Sequence, residues 1–226
     1  MIAPEQEAHL RQLVRVFLTE NQKLNLSAFR TEEACWVGNV LDSLALIEVL
    51  PRLQLSASSQ ILDVGTGGGF PLLPLAICLP QHRFVGIEAR KKKVDAVQRI
   101  VDALALQNVE LVVGRAEELG HDREHREKFD LVLARALSEL PILLEECAPF
   151  ARVKGYMISW KSLTIDRELR DSLLTRAELS CHLMLQHPYE LPGRFGRRQL
   201  LVFEKTAPTP EKYPRAVGVP AKRPLR

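Results

Sequence analysis

The sequence predicts an α/β fold, a mostly parallel sheet with helices on both faces. Three observations carry that expectation. Short apolar or β-branched runs at 61–64, 84–87, 109–113, 129–134 and 155–160 alternate with segments long enough for a helix, the pattern of successive βαβ units. The first run breaks directly into Gly65, Gly67 and Gly69, a turn whose backbone can take φ > 0 and come close to a bound group. Finally, Gly65, Glu88, Glu117 and Arg135 all fall at the ends of such runs. They would converge beyond the carboxyl edge of the sheet, where open α/β sheets bind ligands.

The elements follow in order. Residues 1–58 read as a helical extension, with Leu10, Leu13, Val14, Phe17 and Leu18 at helical spacing. A second helix is expected over 32–50, stopping before Pro51, and the Ser-rich stretch 56–59 leads into the first strand. An apolar helix over 72–79 starts at the glycine turn, so its free N–H groups would favour an anionic group. The next helix opens on Arg90, Lys91, Lys92 and Lys93, where the macrodipole disfavours cations. These residues are either a solvated face or a phosphate contact, and their position beside Glu88 favours the contact. Ser138 could cap a helix running to Cys147, and 169–179 reads as another helix. Strands at 181–189 and 199–204 flank the turn-rich 191–196 and would close the sheet as an antiparallel hairpin.

The bulk properties exclude several classes. At 226 residues the chain can form one core of 59–205 with the extension before it and a tail of 206–226 behind it. No apolar run is expected to reach bilayer length, and the first twenty residues resemble neither a signal nor a transit peptide. Cys35, Cys78, Cys147 and Cys181 form no C-x-x-C pair, which suits reduced thiols in a cytoplasmic protein. His121 and His125 lie in a highly charged connector, and no metal is expected there. The net charge of +3 hides a local excess: Lys205, Lys212, Arg215, Lys222, Arg223 and Arg226 face only Glu211 near the C-terminus. Such a segment either binds phosphates or is a solvated terminus.

The glycine spacing narrows the ligand. A dinucleotide fingerprint would need a third glycine at position 70, which is Phe70. The observed G-x-G-x-G behind Asp63 resembles the first motif of class I methyltransferases, which hold S-adenosylmethionine (SAM) there. An ordinary glycine-rich turn is the plain alternative. A carboxylate about twenty residues on, at Glu88, supports the nucleoside reading, because an acid in that place accepts from ribose hydroxyls.

Over nearly its whole length the chain resembles one family, the bacterial 16S rRNA guanine-N7 methyltransferases, also called glucose-inhibited division protein B. The likeness rests on Asn25-Leu26-Ser27, Leu41-Asp42-Ser43-Leu44, the 62–71 cofactor motif with its Pro71, Arg135-Ala136 and Lys161. Its most specific part is Lys212-Tyr213-Pro214-Arg215 with Gly218, Pro220, Lys222 and Pro224-Leu225. One departure is plain: the family commonly has a basic residue and a histidine before Leu-Asp-Ser-Leu, where this chain has Gly38 and Asn39. A second is Glu88 where an aspartate is frequent, which keeps the carboxylate.

The resemblance implies a seven-stranded, Rossmann-like class I methyltransferase fold and methyl transfer from SAM to N7 of one guanine in a loop of 16S rRNA. It implies a cofactor site at Asp63, Gly65, Gly67, Gly69, Phe70, Glu88, Ala116, Glu117 and Arg135. The partner would be 16S rRNA or the small ribosomal subunit, with no membrane, and the enzyme a monomer. N7 carries an in-plane lone pair and no proton, so no strong general base is needed. Arg135 or Lys161 would instead hold O6 or a nearby phosphate and leave N7 free. Arg90, Lys91, Lys92, Lys93, Lys212, Arg215, Lys222 and Arg223 are the candidate RNA contacts. Rival readings are a SAM-dependent methyltransferase acting on a small molecule, a non-catalytic RNA-binding factor and a nicotinamide dehydrogenase. The basic segments speak against the first, the intact glycine turn against the second and Phe70 against the third.

Overall fold

The computed structural model describes residues 2–226. Seven strands, β1 (Gln60–Val64), β2 (Arg83–Glu88), β3 (Val109–Val113), β4 (Phe129–Arg135), β5 (Ala151–Lys161), β6 (Cys181–Leu191) and β7 (Gly196–Lys205), form one sheet. The order is β3-β2-β1-β4-β5-β7-β6. Strands β1 to β5 pair in parallel, and β7 runs antiparallel to both β5 and β6. The order reverses between β1 and β4, so the crevice lies where those two carboxyl ends part.

Strand alternation assigns side chains to faces. Ile61, Leu131, Leu133, Tyr156, Ile158 and Trp160 join the core beneath the N-terminal helices. Leu62, Val64, Val132, Ala134 and Met157 join the core on the opposite face. By the same parity Asp63 and Arg135 fall on the N-terminal side, and Lys161 on the other.

The N-terminal layer begins with α1 (Pro4–Leu24), whose Leu10, Leu13, Val14 and Phe17 are buried. It packs against α4 (Leu72–Cys78) and α5 (Lys91–Ala103). The helix expected over 32–50 is irregular. α2 (Glu32–Cys35) passes into a π-helical stretch, Trp36–Leu41, then α3 (Asp42–Leu44), and 3₁₀ turns carry the chain through Pro51 to Arg52. One expectation is corrected here. Glu32–Arg52 is long and apolar enough to cross a membrane by length and composition, although 61% of its most apolar window is buried inside the fold.

On the other face lie α6 (Ala116–Leu119), α7 (Leu140–Cys147), α8 (Asp166–Asp171) and α9 (Leu173–Glu178). Ser138 is not the cap of α7. The Glu168 carboxylate accepts from the Leu140 amide instead (3.0 Å), and the helix starts one residue later, with Glu139 at the cap position. The single helix expected at 169–179 is broken between α8 and α9 at Ser172.

The C-terminal segment wraps the same face and ends in α10 (Val219–Lys222). Arg126 donates to the carbonyls of Gly120, Thr209, Pro210 and Tyr213, gathering the segment onto the core. Its charge excess is largely absorbed by the core: Lys205 pairs with Glu127, Lys212 with Glu178, Arg215 with Glu145 and Arg226 with Glu139. Glu145 is fully buried, and a buried carboxylate needs such a partner.

Candidate functional site

Two cavities open along the carboxyl edge of the sheet. One, of about 290 Å³, is lined by Gly65, Glu88, Lys93, Ala116, Glu117 and Glu146 among others. The second, of about 340 Å³, includes Phe29, Asp42, Arg135, Trp160, Lys161 and Arg198 in its wall. Ala136, just past β4, lines both. It has φ of 53°, left-handed backbone that a non-glycine residue seldom adopts.

The first cavity is built by the turn after β1. Gly65, Gly67 and Gly69 have φ of 70°, 57° and 87°. A Cβ at Gly65 would lie 2.7 Å from Leu137 Cδ1, so a side chain there would displace Leu137 as well as strain the backbone. Asp63 is 1% exposed, and neither carboxylate oxygen has a hydrogen-bond partner among the described residues. Burial pushes its carboxyl up to about 7, against the pull of the nearby Thr66 hydroxyl, the Arg135 charge and the Leu72 amide. Asp63 itself lines neither cavity, so it is the buried support of the turn rather than part of the cavity wall.

Glu88 ends β2, accepts from the Arg90 amide (2.9 Å) and stands 3.7 Å from Lys93 Nζ. Glu117, on α6, accepts from the Gly218 amide of the C-terminal segment at 2.9 Å. Glu146 is raised to about 7, chiefly by burial and then by the neighbouring Glu117 and Glu145. The wall thus holds Glu88, Glu117 and a partly ionised Glu146 against Lys93 and Arg115, and a ligand with net positive charge would favour ionisation of Glu146.

The second cavity is organised by Asp42, which is fully buried. Its Oδ2 accepts from Arg135 Nη1 at 3.1 Å and its Oδ1 from the Tyr189 hydroxyl at 2.6 Å. Arg198 Nε lies 3.7 Å away. Two guanidinium groups on one carboxylate leave the wall positive. Arg135 also donates to Asn39 Oδ1 at 2.6 Å and to the carbonyls of Gly38 and Asn39. Burial draws the Arg135 guanidinium down from its usual range, opposed by Asp42 and Asp63. From the opposite face Lys161 reaches the same cavity, with its ammonium on the Ser138 carbonyl and Glu168, both at 2.7 Å.

The predicted residues therefore separate. Gly65, Glu88, Ala116 and Glu117 meet in one cavity, and Arg135 and Lys161 in the other. Gly67 and Gly69 shape the turn without lining either cavity. The Phe70 ring turns away, edge-on to Phe17 with centroids 4.8 Å apart, and the Arg135 guanidinium lies 5.9 Å from its centroid. Of the basic helix start, Lys93 reaches the first cavity, while Lys91 is held by Asp95 and Arg90 and Lys92 stay exposed. In the tail, Lys212 and Arg215 are held by carboxylates of the chain itself, and Lys222 and Arg223 are exposed.

Sequence reasoning missed Glu146 and Arg198 as wall residues, and it noted Asp42 only as part of a motif and Asn39 only as a departure from one. Asp42 had a usable signal, the single charge within residues 34–47. Arg198 had none, because its role depends on β7 folding back beside β5.

Residues 6–185 match the model of a family described as rRNA small subunit methyltransferase G. A ribosomal RNA small subunit methyltransferase G of Deinococcus radiodurans is 39% identical over 99% of this chain and 87% of its own length. One from Moorella thermoacetica is 37% identical over 100% of this chain and 92% of its own. Among solved structures, a SAM-dependent methyltransferase from Aquifex aeolicus superposes with a TM-score of 0.55 at 21% identity, covering 74% of this chain and 92% of that one. That likeness concerns the fold.

Proposed function

The chain belongs to the rRNA small subunit methyltransferase G family and is a SAM-dependent methyltransferase of small-subunit ribosomal RNA; we propose that its target atom is N7 of a guanine in a 16S rRNA loop. The observation that carries this reading is the pair of cavities meeting at Ala136. One has an acid-rich wall suited to a cationic cofactor, and the other a cationic, aromatic wall suited to a nucleotide.

The residues of the first cavity fit SAM. Glu88 suits the ribose hydroxyls, and Glu117 with the Ala116 backbone the adenine end; Asp63, buried behind the glycine turn and outside the lining of either cavity, would act on the ligand through that turn. SAM supplies an activated methyl group on a sulfonium. The contribution of this chain is to bind, orient and exclude water, which can provide most of the acceleration for an unprotonated nucleophile. Arg135 is the candidate for holding O6 or a phosphate of the target nucleotide. Its bonds to Asp42 and Asn39 fix the guanidinium plane before substrate arrives. Lys161, tied to Ser138 and Glu168, steadies the 136–140 loop between the two cavities.

A guanine stacked in an A-form helix hides N7 in a deep, narrow groove, so a loop or an everted base is the accessible form. The reading includes a cytoplasmic monomer acting on the small subunit or its 16S rRNA. Methyl transfer from labelled SAM to both substrates, with the modified nucleoside identified, tests it. N7-methylguanosine at a single loop position is the expected product, and transfer only to free small molecules would overturn the assignment.

A further inference from the structure

Phe29, in the loop after α1, and Phe195, at the tip of the β6–β7 hairpin, meet with ring centroids 5.6 Å apart and planes inclined at 56°. Phe29 lines the second cavity. Gly38 makes room for the pair. A Cβ there would stand 2.4 Å from two Phe29 ring carbons and 2.8 Å from a Phe195 ring carbon, so any other residue would push both rings aside. Both rings are only half-buried. Arg30, Arg194 and Arg197 beside them in the chain are exposed, and none forms an ion pair among the described residues. The cationic tail, by contrast, is mostly neutralised by the core.

We propose that the Phe29–Phe195 pair is a stacking platform for an unpaired base of the RNA loop, with Arg194 and Arg197 on the adjoining phosphates. The proposal rests on the reading of the substrate as RNA and names where that RNA is gripped. Aromatic rings take bases through their faces, and arginines take the backbone and can stack as well. A hairpin tip needing only an anchor would bury its ring and would not be flanked by exposed, unpaired guanidinium groups. The platform also adjoins the cavity holding Arg135, so a base stacked there positions its neighbour to enter.

Three full-length variants test this: Phe195→Ala, Phe195→Leu and Phe195→Trp. Leucine keeps the apolar bulk and removes the π-face, whereas tryptophan enlarges the face. SAM affinity is measured by calorimetry, and kcat and KM are measured with small subunits. Stacking predicts that Ala and Leu each lower kcat/KM for RNA by roughly tenfold through KM, with SAM affinity unchanged, and that Trp restores it. In the Phe195→Trp variant an added loop oligonucleotide should quench indole emission beyond the change it causes in the wild type, where only Trp36 and Trp160 emit. Wild-type behaviour of Phe195→Leu, or equal losses in SAM and RNA binding, would reduce the pair to a structural anchor and overturn the proposal. If the wild-type enzyme methylates no ribosomal RNA, the functional reading falls, and absence of indole quenching by the oligonucleotide then removes the platform as well.

Discussion

Asn39 Oδ1 accepts a 2.6 Å hydrogen bond from the Arg135 guanidinium across 96 positions of sequence. The bond ties a π-helical stretch of the N-terminal layer to the end of β4. π-Helical turns often mark functional sites, and here the Gly38 and Asn39 carbonyls also face Arg135. The N-terminal layer is therefore part of the site, since without it the charge of Arg135 would have Asp42 and Asn39 nowhere near.

Asn39→Ala should leave the fold intact and loosen Arg135. A hydrogen bond to a charged group is worth about 1.5–3 kcal/mol, so kcat/KM for RNA should fall roughly 10- to 100-fold. SAM affinity should change much less. Single-turnover methyl transfer alongside calorimetric SAM binding checks this, and unchanged turnover would remove Arg135's orientation from the mechanism.

The buried Asp63 carboxyl makes stability of the SAM-free protein depend on pH. Its carboxyl titrates near 4 when unfolded and at about 7 when folded, so between those values the folded state binds the extra proton. Stability then falls as pH rises from about 4 to about 7. Arg135 and Glu88 face the group with opposing charges, and Glu146 shifts in the same direction. Asp63→Asn should raise Tm at pH 8, lose that gain by pH 5 and weaken SAM binding. A pH-independent change in Tm would contradict the titration.

Gly65→Ala forces a side chain into φ of 70° and within 2.7 Å of Leu137. Left-handed backbone at a non-glycine residue costs about 1–3 kcal/mol. SAM affinity should drop at least about tenfold while the far-UV spectrum stays native. Retained affinity in calorimetry would show that the 136–138 loop yields freely.

The tail separates stability from RNA contact. Arg215→Ala strands the buried Glu145 and should cost about 3 kcal/mol, read as a lower midpoint in urea. Lys222→Ala with Arg223→Ala should leave the midpoint nearly unchanged and reduce the salt slope of RNA binding by up to about two. An unaltered slope would leave the tail as a clasp on the core.

Much of the fold could be read directly because its signals are local. Alternating apolar runs gave all seven strands to within a few residues, except the start of β5. The glycine turn and Glu88 located the first cavity. The helix over 32–50 was legible as helical, yet its π-helical stretch was not, because nothing at Trp36–Leu41 breaks helical spacing. The start of α7 was misplaced at Ser138 because its amide partner, Glu168, comes from another helix.

The chain by itself determined the sheet, the glycine turn and, through strand parity, the face on which Asp63 and Arg135 lie. Those follow from periodicity, steric freedom at glycine and the two-residue repeat of a strand. Tertiary structure alone decided which cations are available. Lys205, Lys212, Arg215 and Arg226 look free in the sequence and meet Glu127, Glu178, Glu145 and Glu139 in the fold, whereas Arg194 and Arg197 find no such partner among the described residues. Charge is written in the sequence, but its neutralisation depends on distance, because ion pairing is strong only over a few ångströms and where water is excluded.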